Sequence, residues 1–304
     1  MSFEYGDEVA RALAARAPMV ALETTLITHG LPRPDGVMTA LALEDIVRQA
    51  GATPATIAVI GGAIRVGLTR DELERLAATP NVGKTNLSNL AATVSSGEPG
   101  STTVAATMFA AHRSGIRVFA TGGIGGVHRH ASESGDVSTD LIALSRMTVA
   151  VVCSGAKAIL DLPRTVEILE TLGVPVFGYG TDEFPAFYRR SSGLAVDHRY
   201  DAISDLAAAV DRHFALGLGT GVLVANPIPT SDEMSRDLYE RALDAALSDA
   251  DAPRIRGRDV TPFLLDRMRT VTGGESVRVN IALLRHNAHV AAELAVAARH
   301  DEPG

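Results

Sequence analysis

"TVAVVCSGAKAILDLPRTVEILETLGVPVFG", Thr148 to Gly178, is the stretch that sets the fold. Its first run, Thr148–Cys153, is short, apolar and closed by Ser154-Gly155, the pattern of a strand buried on both faces. Asp161–Leu172 reads as a helix, and Val174–Gly178 is apolar and strand-like again. Strand, helix and strand in one continuous segment imply a parallel pair joined by a crossover helix.

The same alternation runs outward in both directions. Met19–Glu23, Ala55–Ile60, Arg117–Ala120 and Gly221–Val224 are further strand candidates. Helices are expected at Pro34–Ala50, Thr69–Ala78, Thr102–Ser114, Ser138–Arg146 and Asp201–Leu216, and then from Thr230 to about Asp249, at Thr261–Thr272 and at Glu275–His300. Thr69 with Glu72, and Thr230 with Glu233, carry the spacing of a capping box. The expectation is an α/β chain with a mainly parallel sheet and helices on both faces. No long linker, internal repeat or low-complexity tract interrupts the pattern, and Pro253–Asp259 reads as a surface loop, so residues 1–304 are expected to form a single domain.

Composition narrows the function. With 304 residues, 46% hydrophobic and 21% charged, the chain is long enough to bury a large core. A formal net charge of −8 without a basic stripe argues against nucleic-acid binding. A local positive pocket for a small anion stays compatible with it. One cysteine, Cys153, excludes an intrachain disulfide and suits a reducing compartment. The N-terminus lacks an apolar signal core, and Phe214–Ala225 is too short to span a bilayer. A cytoplasmic protein without a membrane partner is expected.

In open parallel sheets, ligands sit beyond the carboxyl ends of the strands. There the chain is polar and rich in glycine. Glu23 closes the first strand and is followed by Thr24, Thr25, Thr28 and His29; such a carboxylate can serve as a general acid or simply bond its neighbours. "TGGIGGVHRH" (Thr121–His130) has the glycines for close backbone approach but lacks the third glycine of a dinucleotide fingerprint, and it places His128 and His130 near a ligand. Asp136, Ser138 and Asp140 offer oxygen ligands suited to Mg²⁺ or Mn²⁺, while Ser138 equally suits an N-cap. "GYGTDEFPAFY" (Gly178–Tyr188) is expected to help wall the pocket. Asn226 could face the ligand, and Asn280 and Asn287 point either at a site or at neighbouring backbone.

The lysines are the sharpest signal. Of 28 Lys plus Arg, only Lys84 and Lys157 are lysine. Arginine does not lose its proton in a protein; lysine does when desolvated, and only a neutral amine attacks a carbonyl to form a Schiff base. Lys157, just beyond an apolar strand, is therefore a nucleophile candidate. Lys84, in "NVGKTNLSN", suits a point charge for a phosphate.

Together these segments resemble the pseudouridine-5'-phosphate glycosidase family, which includes the indigoidine-synthesis A-like proteins. "ALETTLITHGLPRP", "ATIAVIGGAIRVGL", "STTVAATMFAAHRSGIRVFATGGIGGVHRH", "LVANPIP" and the opening stretch carry the resemblance, from about residue 7 to residue 298. It implies a three-layer α/β/α sandwich with a mixed, mainly parallel sheet, assembled as a homotrimer. It implies reversible cleavage of the carbon–carbon glycosidic bond of pseudouridine 5'-phosphate to uracil and ribose 5-phosphate. Lys157 falls on the lysine that forms an imine with C1' of the opened ribose, Glu23 on the proton donor and Asp136 on the aspartate holding Mn²⁺. Lys84, Val104, His128, Ser138, Thr139, Asp140 and Asn280 fall on substrate-binding positions. The family pattern after Lys84 is lysine–x–serine–arginine–arginine–aspartate, whereas this chain reads "KTNLSNLA". A Schiff-base sugar-phosphate aldolase or lyase, and a non-catalytic phosphosugar-binding protein, are the alternative readings.

Overall fold

The computed structural model describes residues 2–129, 131–251 and 260–298. The expected positions His130, Pro253–Asp259 and His300 lie outside these described residues.

Eleven strands pair among the described residues. They are β1 (Phe3–Tyr5), β2 (Met19–Leu22), β3 (Thr53–Ile60), β4 (Ala63–Val66), β5 (Gly83–Thr85) and β6 (Gly100–Thr102), then β7 (Val118–Ala120), β8 (Ala150–Cys153), β9 (Val176–Tyr179), β10 (His198–Tyr200) and β11 (Val222–Ala225). The sheet runs β1-β4-β3-β2-β7-β8-β11-β9-β10, with β6 branching from β3 and carrying β5. Among these described strands, only the β3–β4 and β3–β6 pairs are antiparallel. The sheet is thus mixed and mainly parallel.

The centre of the sheet is fully buried because helices cover both sides. Every residue of β2, β7, β8 and β11 is buried. The Glu275–Ala297 helix crosses β2, β7 and β8, flanked by Asp35–Gln49 and Ile203–Ala215. The helix Val104–Arg113 packs on β2, β3 and β7. In register, Val20 faces Val118 and Val118 faces Ala150, so β2, β7 and β8 end along one edge.

Capping agrees with the sequence in one place and departs from it in another. Thr69 and Glu72 form both hydrogen bonds of the capping box. Thr230 and Glu233 do not: Thr230–Asp232 is a single tight turn and the helix begins at Arg236. Glu233 instead pairs with Arg189 at 3.2 Å and accepts the Arg190 N–H at 3.0 Å. Two charge-assisted bonds to another loop outcompete one weak cap. Thr102, expected in a helix, ends β6, and the helix starts two residues later behind the cap Thr103.

Candidate active site

A cavity of about 450 Å³ opens beyond the ends of β2, β7 and β8. Glu23, Lys84, Val104, His128, Asp136, Ser138, Thr139, Asp140, Lys157 and Asn280 all line it. Residues spread over more than 250 positions of sequence therefore meet in one place.

Glu23 follows β2 directly and is half-buried. Thr25 donates to one carboxylate oxygen and Thr121, which follows β7, donates to the other. Two hydroxyls from two strand ends thus orient the carboxylate. The neighbouring Thr24 hydroxyl bonds the Ile57 carbonyl at 2.7 Å, anchoring the strand end to β3. The chain then makes a π-helical turn, Leu26–Gly30, a rare geometry frequent at functional sites.

Lys157 follows β8 across a loop that keeps pairing beyond the strand. Ser154 N–H bonds Gly122 O, Ile124 N–H bonds Gly155 O, and Lys157 N–H bonds Ile124 O at 2.9, 3.0 and 3.0 Å. Gly155 sits at φ +78°, and a Cβ there would meet the Pro185 carbonyl at 2.1 Å, so only glycine makes this turn. The backbone of Lys157 is thereby fixed, while its half-buried ammonium takes no hydrogen bond or ion pair among the described residues.

Gly122, Gly123 and Gly125 of "TGGIGGVH" line the cavity, and Gly125 also allows a close approach within the protein. A Cβ on Gly125 would stand 2.3 Å from Ser138 Oγ. The close approach is to the protein's own Ser138 and Asp140, and it brings the Asp136–Asp140 segment against the turn. Asp140 is buried, and its carboxylate accepts Gly125 N–H at 2.7 Å and Ala105 N–H at 2.9 Å. Ser138 caps the helix Thr139–Leu144 through the Asp140 N–H, at 3.2 Å. With Ala105 and Ala106 N–H bonded to Asp140 and Thr103, the Val104 N–H at the start of its helix has no partner among the described residues. Val104 thus presents a main-chain donor, and its side-chain type gives no hint of that.

The electrostatics are positive where Lys84 and Lys157 converge. Burial pushes His128 below its ordinary 6.5; Lys157 and Lys84 push the same way and Asp136 opposes them. Burial, then Lys84, lowers His29. His29 was visible after the first strand but carried no assigned role; here it lines the cavity and bonds Thr28 Oγ1 at 2.6 Å. Asn86, Ser88 and Asn89 also line the cavity and brace one another: Asn89 accepts Asn86 N–H at 2.8 Å, and Asn86 accepts Ser88 N–H at 2.9 Å. The loop after Lys84 is therefore a neutral rim. Of Gly178–Tyr188, only Phe187 reaches the cavity wall.

The asparagines divide. Asn280 is on the wall. Asn287, fully buried, donates to Thr121 O at 2.8 Å and Ser154 Oγ at 3.2 Å, and accepts from Asn226 Nδ2 at 2.8 Å. Asn226 does not face the ligand as expected; its amide is directed to Asn287. The pair joins the ends of β7, β8 and β11 to the long helix.

No group of three or more His, Cys, Asp or Glu side chains gathers for a metal among the described residues. Asp136 is half-exposed at the cavity, and its carboxylate accepts no hydrogen bond among the described residues. A lone carboxylate suits a hard cation that keeps most of its water, not a closed protein cage. None of the described helices is long and apolar enough to cross a membrane.

Residues 8–297 match the family described as indigoidine synthase A like protein. The chain belongs to that family. This indigoidine synthase A-like chain is 50% identical over 293 residues to the pseudouridine-5'-phosphate glycosidase of Caldanaerobacter subterraneus, covering 96% of this chain and 95% of the relative. It is 53% identical to that of Methylobacterium nodulans, covering 97% and 88%. Among solved structures it resembles the prealnumycin C-glycosynthase AlnA, crystallised with ribulose 5-phosphate, at 40% identity and a TM-score of 0.90 over 98% of this chain and 97% of that one. It also resembles an indigoidine synthase A-like protein of Thermotoga maritima, at 34% identity and a TM-score of 0.88, covering 97% and 96%.

Proposed function

We propose that this chain is an enzyme that reversibly cleaves the carbon–carbon glycosidic bond of pseudouridine 5'-phosphate, giving uracil and ribose 5-phosphate. One observation carries the reading: Lys157 and Glu23, held beyond the ends of β8 and β2 on either side of β7, face one cavity with Lys84, in a chain about half identical to glycosidases of that name.

The bond demands special chemistry, because carbon is a poor leaving atom. In this reading the Lys157 amine bonds to C1' as the C1'–O4' bond of the ribose ring breaks, O4' gaining a proton to become a hydroxyl and the nitrogen losing one. Its lone pair forms the C1'=N bond as the C1'–C5 bond breaks, and that bond's electrons go to uracil C5. Glu23 delivers the proton that C5 takes up. Water then adds to the imine, releasing ribose 5-phosphate and restoring the amine. Lys84 and the Val104 N–H hold the phosphate, with the positive end of a helix behind them. Asp136 would hold a divalent ion, Mn²⁺ in this reading, which supplies positive charge for sugar or phosphate oxygens. Cytoplasmic location and a homotrimer belong to the same reading.

Borohydride with ribose 5-phosphate should attach the sugar-phosphate mass to Lys157, and Lys157→Arg should remove both the adduct and turnover, by about three orders of magnitude or more. Turnover near the parent rate in that variant would end the covalent reading. Release of uracil distinguishes the glycosidase from an aldolase-type lyase, and an absent adduct would favour a protein that only binds phosphosugars.

A further inference from the structure

Ala186–Arg189 forms a tight hairpin turn: Ala186 N–H bonds Arg189 O at 2.9 Å and Arg189 N–H bonds Ala186 O at 3.4 Å. Phe187, its first central residue, has a φ of +61°. Glycine normally fills such a position, because a bulky side chain at that angle crowds its own backbone. Arg16 and Asn81 are the other described non-glycine residues with positive φ. Arg16 closes the helix Asp7–Ala15, and asparagine is a type that tolerates the angle. Phe187 alone of the three lines the active-site cavity.

The turn itself does not need the ring. Phe187 N–H bonds Ser154 O and Met234 N–H bonds Tyr188 O, both at 3.1 Å, and Gly155 pairs with Ala186. These main-chain bonds offset the strain without using the phenyl group. The ring instead lies where Lys157 is set. It is 3% exposed, and a Cβ on Gly123 would stand 2.7 Å from its Cδ2 and 2.8 Å from its Cε2, so it packs directly on the Gly123 backbone. Gly123 leads into Ile124, whose N–H and carbonyl bond Gly155 O and Lys157 N–H. Phe187 therefore touches the loop after β7 with its ring and the loop after β8 with its N–H. Lys157 is bonded between those two loops.

We propose that Phe187 is a positioning residue for imine formation: its ring, wedged against Gly123, keeps the loops after β7 and β8 in register and so holds Lys157 at attacking distance from C1' of the sugar. This rests on the function proposed above. A displacement of about 1 Å at a reacting atom costs on the order of 10²-fold in rate, which is the scale of effect a lost prop produces.

Phe187→Ala and Phe187→Gly both remove the ring, but glycine takes the positive φ without strain and should give the more stable protein in urea. Borohydride trapping of ribose 5-phosphate on Lys157 yields a saturating rate and a half-saturating concentration. In both variants the saturating rate should fall about tenfold to a hundredfold, with the half-saturating concentration changed by less than about threefold. Equal loss despite unequal stability is what a merely structural role does not produce. Phe187→Leu, which refills the space against Gly123, should recover most of the rate. Trapping near the parent rate in both truncations would overturn the role, as would a leucine variant as slow as alanine. So would a loss that follows stability and spares the glycine variant, or one confined to the half-saturating concentration, which would make the ring a ligand contact. A parent protein that never traps ribose 5-phosphate would end the covalent reading itself, and this role with it.

Discussion

Glu23 accepts one threonine hydroxyl on each carboxylate oxygen, and that arrangement determines what its replacement does. Glu23→Gln keeps the shape but removes the transferable proton, so kcat should fall by about 10²–10⁴-fold, the usual range for a general acid. Imine trapping on Lys157 by ribose 5-phosphate should survive, because that step does not protonate uracil; loss of trapping would assign Glu23 to imine formation instead. At this scale the sequence was informative where chemistry depends on side-chain type. Lys157 stood out because lysine is nearly absent, and Glu23 because a carboxylate ends an apolar run. Thr121 was within reach of the same strand-end reasoning. The stretch Gly178–Tyr188 was expected on the wall, but not that Phe187 alone would supply it, since its φ of +61° belongs to a turn with no sequence signature.

At the level of elements, Asp140 ties a glycine turn to a helix start. Asp140→Ala leaves Gly125 and Ala105 N–H without their charged acceptor and should cost about 3 kcal/mol, read as a lowered midpoint in urea. The strands legible in the sequence, β2, β3, β7, β8, β9 and β11, are contiguous in the middle of the sheet, where burial on both faces demands continuous apolar runs. Those not foreseen, β1, β4, β5, β6 and β10, lie at its periphery. β10 is His-Arg-Tyr with two exposed residues, and β5 is Gly-Lys-Thr. Such segments pair because a neighbour offers them a ladder, and three residues of mixed polarity carry no period to read.

For the whole molecule, stability should depend on acid in a defined direction. Burial lowers His29, with Lys84 adding to it, and burial lowers His286, with His289 and Arg190 adding to it, both from an ordinary 6.5. Between the folded values and 6.5 the unfolded chain binds more protons than the folded one. Stability is therefore fully present above pH 6.5 and declines as pH drops below it. Urea midpoints at pH 7.5 and pH 5.5 check the sign, and His286→Asn should flatten the slope. Convergence on one edge was legible from the alternation of strands and helices. The wiring beneath it was not, since an asparagine such as Asn287 looks the same whether it meets a ligand or a carbonyl.

That wiring decides how the cleft breathes. Asn287 links loops after β7, β8 and β11, and the Lys157 amide is bonded within the same net. A binding site tethered this way cannot loosen on its own. In deuterated buffer the Lys157 amide should exchange as slowly as the innermost strand amides, only when the entire fold opens. Asn287→Ala should uncouple the two, letting the reactive loop exchange orders of magnitude sooner than β8.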